Sequence, residues 1–172
     1  MPLFQNVVLK KHIQSLNNEQ TQQAYQKLTS YFHHPDIQAN IRAAKEEQFQ
    51  EGFLRELFVK ILGYTINPEQ NYTLTTEFKN QKGAKKADGA IVDSQKIVKA
   101  VIELKSTKTI DLDSIENQAF GYKNNQKNCR YVITSNFEKI RFYIDNAIDF
   151  IEWNLFTLTQ EQFNELYSLL HQ

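Results

Sequence analysis

The sequence predicts a single α/β domain: one central mixed β-sheet flanked by helices, with a helical lead-in at the amino terminus. Three observations carry this. The 172 residues suit one domain with one buried core. Segments of helical and strand periodicity run in the order helix, three strands, helix, two strands, with a helix at the end. With only 5 Gly and 3 Pro, most of the chain should be regular.

Residues 17–33 place Tyr25, Leu28 and Phe32 at spacings of three and four, which predicts a helix. Pro35 suits the first turn of a second helix, expected to run from about Asp36 to Leu62. Its apolar stripe comprises Phe49, Phe53, Leu54, Leu57, Phe58, Ile61 and Leu62, and Gly63 is the stop signal. NYTLTTEF (71–78) is rich in aromatic and β-branched residues and reads as a strand. FKNQKGAKK (78–86) is a polar, lysine-bearing loop. ADGAIV (87–92) and IVKAVIELK (97–105) form a hairpin about the turn DSQK. A helix follows over about Leu112–Asn125, then strands at CRYVIT (129–134) and KIRFYI (139–144). Thr159 and Gln162 form a capping box for a last helix over 159–170.

Composition limits the function classes. The charges balance at 20 basic and 20 acidic residues, so any basic surface is local. One cysteine, Cys129, excludes an internal disulfide framework and fits a reducing compartment. The amino terminus lacks the apolar core of a signal peptide. No run reaches the roughly 20 apolar residues of a membrane span. The expectation is a cytoplasmic protein with no membrane partner.

The hairpin carries the chemistry. Glu103 and Lys105 alternate onto one strand face, while Ile102 and Leu104 point the other way. If the turn pairs Val92 with Ile97, Asp88 lies opposite Val101, one pleat from Glu103 on the same side. Two carboxylates and one ammonium then share a face. Hard oxygen ligands with room for waters suit Mg²⁺, and a metal there can polarise a phosphodiester and acidify a bound water. Lys105 can stabilise developing charge or position the attacking water. The competing reading is a solvated strand end with a surface ion pair, worth at most about 1 kcal/mol.

Three further features bear on the choice. Gln118 and Tyr122, four apart on the next helix, share one helical face. They could hold backbone phosphates or orient an active-site group, or Tyr122 could simply pack on the sheet. Glu46, Glu47 and Gln50 flank the apolar stripe of the long helix, so one acid could reach a metal beside the sheet; Glu51 falls farther round. Lys79, Lys82, Lys85 and Lys86 could meet DNA phosphates on the approach to Asp88, or be solvated loop lysines.

Taken together, Glu46 or Glu47, Asp88, E103-L-K105 and Q118-A-F-G-Y122 resemble the pattern of the PD-(D/E)XK nuclease superfamily. Ala87 stands where that pattern has proline. From about residue 40, the stretches KEEQFQEGFLRELFVKILGY, KKADGAIV, VIELKST, ENQAFGYKNN, YVITSNFEKIRFY and NLFTLTQEQFNELYSLL are similar to the amino-terminal endonuclease domain of type IIG restriction–modification enzymes. The resemblance implies a nuclease core over 40–158, preceded by the lead-in (1–39). A carboxy-terminal helix (159–172) would lead to methyltransferase and target-recognition domains of the same polypeptide. It implies a Mg²⁺-dependent endonuclease acting on double-stranded DNA, with Mn²⁺ as a substitute. Asp88 and Glu103 would be metal ligands with the Leu104 carbonyl as a third. Lys105 would assist water activation, Glu46 or Glu47 would complete the acidic set, and Gln118 and Tyr122 would support the site. Lys82, Lys85 and Lys86 would contact DNA, and dimerisation on DNA would serve cutting of both strands. The alternatives are the nuclease domain of a type I restriction subunit and a non-catalytic nucleic-acid-binding module that keeps the fold.

Overall fold

The computed structural model describes residues 3–79, 86–124, 126 and 128–172. Its centre is a six-stranded mixed sheet in which spatial order follows chain order. The strands are β1 (Leu74–Lys79), β2 (Lys86–Val92), β3 (Val98–Leu104), β4 (Tyr131–Ser135), β5 (Lys139–Ile144) and β6 (Phe150–Asn154). All neighbours are antiparallel except β3 and β4, which are parallel. A parallel pair needs a crossover. Helix α5 (Asp113–Asn124) supplies it and packs on β3 and β4.

Five further helical elements complete the fold: α1 (Asn6–Gln14), α2 (Asn18–Phe32), α3 (Pro35–Ala43), α4 (Glu46–Phe53) and α6 (Gln160–Leu170). Helix α4 runs straight on into a π-helical segment, Leu54–Ile61, where Leu62 N donates to Leu57 O at 2.9 Å, five residues back. The larger core joins Leu28 and Phe32 of α2, Phe53, Leu57 and Phe58, and Phe163 and Leu166 of α6 to the sheet residues Ala100, Ile102, Leu104 and Ile133. The smaller core, beneath α5, joins Val101, Val132, Ala119, Tyr122 and Tyr143. Central β3 is therefore covered on both faces, and the lead-in helix α2 shares the main core instead of standing apart. Among the described residues no helix is long and apolar enough to cross a membrane.

Local chemistry explains most boundaries. Asn17 caps α2 by accepting from Gln20 N at 3.0 Å. Pro35 opens α3, Gly63 ends the π-helical segment at φ 88°, and Thr159 with Gln162 makes the expected capping box.

Three expectations need correction. The helix expected from Asp36 to Leu62 is broken at Ala44, whose backbone is extended. Gln48 reaches back to accept from Lys45 N at 2.8 Å, so α4 starts afresh with Glu46 and Glu47 in its first turn. No Pro or Gly marks this break; a glutamine side chain makes it possible. Three strands, not two, follow α5. The missed strand, β6, lies at the sheet edge with Phe150 exposed and only Trp153 of the strand fully buried. Its sequence, FIEWN, interleaves polar residues with aromatic ones and carries little apolar signal.

The third correction concerns the hairpin register. Asp93 Oδ1 accepts from Gln95 N at 2.9 Å and Ile97 N at 3.0 Å, which widens the turn. The ladder resumes at Val92 opposite Val98, slips between Ile91 and Val92, and pairs Gly89 with Ile102. One further step along that register sets Asp88 across from Glu103, not Val101.

Candidate functional site

Three elements converge at the carboxyl end of β3. Asp88 comes from β2, Glu103 from β3, and Glu46 with Gln50 from the first turns of α4. The restart of the helix at Lys45 is what brings Glu46 here. Lys105 follows β3 directly, its backbone N–H held by Ser135 O at 2.9 Å. Its ammonium lies 3.8 Å from Glu46 Oε1 and 3.8 Å from Glu103 Oε1. Gln50 Nε2 donates to Glu46 Oε1 and to Asp88 Oδ1, both at 3.2 Å. Asp88 Oδ2 accepts from Leu104 N at 2.7 Å. The sequence-predicted set Asp88, Glu103, Lys105 and Glu46 is thus brought together.

Electrostatically the site is short of positive charge. Glu103 is 2 % exposed. Burial, then the nearby Asp88 carboxylate, push its pKa up to about 8; Lys105 offsets this only in part. Burial also raises Asp88, against the Leu104 N–H bond that favours its ionised form. Among the described residues Oε2 of Glu103 is buried without a hydrogen-bond partner, and one lysine faces three carboxylates.

Among the described residues no group of three or more His, Cys, Asp or Glu forms a ready metal cage. What the chain does offer is Asp88 and Glu103, two hard oxygen donors, one with an unpartnered buried oxygen and a charge that lacks compensation. That donor set fits a small divalent cation that keeps much of its water.

The other predicted residues stand differently. Glu47 is exposed, and Glu51 pairs with Arg55 at 3.0 Å, so neither joins the cluster. Gln118 Nε2 donates to Tyr122 OH at 3.0 Å, and Tyr122 packs in the core beneath α5. Among the described residues no hydrogen bond or ion pair ties either to the carboxylates. Lys86 is exposed on β2, 3.7 Å from Glu77 Oε2; Lys82 and Lys85 lie outside the described residues. Sequence reasoning gave Gln50 no role of its own, although its i,i+4 spacing from Glu46 would have placed it on that face.

A polar row runs from this cluster across the sheet. Glu103 pairs with Thr134, Thr134 with Arg141, and Arg141 with Glu152. Arg141 Nε donates to Glu152 Oε1 at 2.8 Å, and Nη1 donates to Asp113 of α5 and to Tyr143 OH at 3.3 Å. Tyr143 OH in turn donates to Glu116 Oε2 at 3.1 Å. Burial alone would lower the Arg141 pKa, but its hydrogen bonds to Asp113, Tyr143 and Glu152 raise it overall. Nothing short-range in the sequence links these positions; only sheet register does.

Comparison of the chain with protein-family models, curated proteins and solved structures found no match.

Proposed function

We propose that this domain is a Mg²⁺-dependent DNA endonuclease of the PD-(D/E)XK type, serving as the cleavage module of a type IIG restriction–modification enzyme. The observation that carries the reading is the convergence of Glu46, Asp88 and Glu103 on Lys105, with Glu103 buried and under-compensated. A purely structural ion pair would balance its charges. Among the described residues this cluster sets three carboxylates against one lysine at the open end of a strand, which a functional site tolerates and a packing site does not.

In this reading Asp88 and Glu103 hold the cation, which when bound supplies Lewis-acid activation of the phosphodiester and of a water. Leu104 N fixes Asp88 through Oδ2, and Gln50 steadies Oδ1 from α4. Lys105 directs its ammonium at the attacking water and at the charge that grows on the phosphoryl oxygens. Glu46 and Glu103, each 3.8 Å away, keep that ammonium in place. The net reaction adds water across one P–O bond, leaving a phosphate monoester and a free hydroxyl. Sequence choice belongs to recognition domains of the same polypeptide, and the compartment is the cytoplasm.

Supercoiled plasmid incubated with the protein and Mg²⁺ or Mn²⁺ tests the reading. Nicked or linear product that disappears with a chelator and in Glu103→Ala supports it. Equal product from wild type and Glu103→Ala would assign the cleavage to a contaminant and remove the proposal.

A further inference from the structure

Two buried polar atoms that lack a partner among the described residues, Glu103 Oε2 and Thr134 Oγ1, belong to neighbouring side chains. Glu103 and Thr134 pair directly in the parallel β3–β4 ladder, so their side chains leave the same face from strands roughly 5 Å apart. Thr134 is fully buried at 0 % exposure. The next residue of β4 on that face, Val132, sits in the apolar core under α5, and valine would fill the space at position 134 equally well. Packing alone therefore gives no reason for a hydroxyl there. On its other side Thr134 faces Arg141, whose Nε and Nη1 are already taken by Glu152, Asp113 and Tyr143. That leaves Glu103 as the neighbour in need of a donor. A hydroxyl has one proton to give, and the Glu103 carboxylate, ionised once a cation is bound, only accepts.

We propose that Thr134 is a positioning residue for Glu103: its hydroxyl hydrogen-bonds Oε2 across one shared water, or directly after a side-chain rotation when the cation binds, and so turns Oε1 toward Lys105 and the cation position. The inference rests on the metal-dependent reading of the carboxylate cluster. Its physical content is that a ligating carboxylate held by an outer partner loses less freedom when the cation binds. Removing such a partner lowers metal affinity by roughly 10- to 100-fold.

The test is Mn²⁺ titration of the whole protein, with free Mn²⁺ read from its electron paramagnetic resonance signal. Wild type should bind one Mn²⁺ that Glu103→Ala loses. Thr134→Val should bind about tenfold more weakly, and Thr134→Ser, which restores the hydroxyl, should bind within about twofold of wild type. Thr134→Val binding like wild type would overturn the role of Thr134 while leaving the metal site standing. Absence of binding by wild type would instead overturn the metal site, and the role of Thr134 with it. If Thr134→Val fails to fold, a crystal structure of the unchanged protein with Mn²⁺ decides. Thr134 Oγ1 within hydrogen-bond distance of Glu103 Oε2, or of a water shared with it, supports the proposal; Oγ1 bonded only to backbone carbonyls overturns it.

Discussion

The two ends of one polar row across the sheet behave in opposite ways. At the β5–β6 end, Arg141 is buried, yet its guanidinium meets Glu152, Asp113 and Tyr143. The result is a satisfied network that ties the edge strand β6 to helix α5. At the β2–β3 end, Glu103 is also buried, yet among the described residues it shares a single lysine with Glu46, faces Asp88 and leaves one oxygen unpartnered. Both ends pay for burying charge, but only the first recovers that cost from the protein's own groups. The difference teaches that burial of charge does not mark a functional site. Burial of charge without compensation is what supports the site proposed here.

The largest effects should come from breaking the uncompensated end. Asp88→Ala, Glu103→Ala and Lys105→Ala should each lower cleavage by on the order of 10³-fold, the equivalent of several kcal/mol of transition-state stabilisation. Glu103→Ala should melt near or above wild type, because it removes a buried carboxylate that lacks compensation. Asp88→Ala, which loses its bonds to Leu104 N and Gln50, and Lys105→Ala, which leaves Glu46 and Glu103 without their cation, should melt below wild type. Plasmid cleavage rates beside thermal melts measure both. Near-normal cleavage by any of the three would erase the contrast.

Breaking the compensated end should do the reverse. Arg141→Met removes three hydrogen bonds of a buried guanidinium to partly exposed Glu152 and Asp113 and to Tyr143, and should cost about 2–3 kcal/mol. At roughly 2–4 °C per kcal/mol for a chain of this size, the melting temperature should fall by about 4–12 °C. Cleavage measured well below the transition should be nearly unchanged. A large loss of cleavage with an unchanged melting temperature would place Arg141 in the chemistry.

The contrast should also have a pH signature. The folded-state pKa of Glu103, about 8, lies above the ordinary glutamate value. The folded chain therefore keeps a proton that the unfolded chain releases. Stability from this group is fully present below about pH 4.5 and is lost progressively as pH rises to about 8. Glu103→Gln removes the titration. In metal-free buffer the variant should gain on wild type across that window, reaching on the order of 4 kcal/mol at pH 8, by urea denaturation. A difference that shrinks as pH rises would contradict the charge balance described for the site.

The smallest expected effect is on DNA affinity. The chain carries no net charge, so a local patch making two to four phosphate contacts should give a slope of log affinity against log salt of roughly −2 to −4. Lys86→Ala should flatten that slope by about 0.9 and weaken all sequences alike. Fluorescence anisotropy at several salt concentrations measures it. Tight, salt-insensitive binding to one sequence would place recognition inside this domain.

What the sequence by itself determined is whatever rests on near neighbours along the chain. Pro35, Gly63 and the Thr159–Gln162 pair marked helix ends through backbone chemistry within one turn. Alternation placed Ile102 and Leu104 in the core opposite Glu103, and the D…ExK spacing drew attention to the strand ends where Asp88, Glu103 and Lys105 meet. Only the tertiary structure decided the rest. The Asp93 turn widened the hairpin and shifted Asp88 by two positions. Gln48 broke the long helix at Ala44 and delivered Glu46, not Glu47, to Lys105. The parallel pairing of β3 with β4 put Thr134 beside Glu103 from 31 positions away in the chain (103 to 134). A partner's identity is invisible to any local pattern when strand register supplies it, because register depends on turn geometry and on packing of the whole sheet.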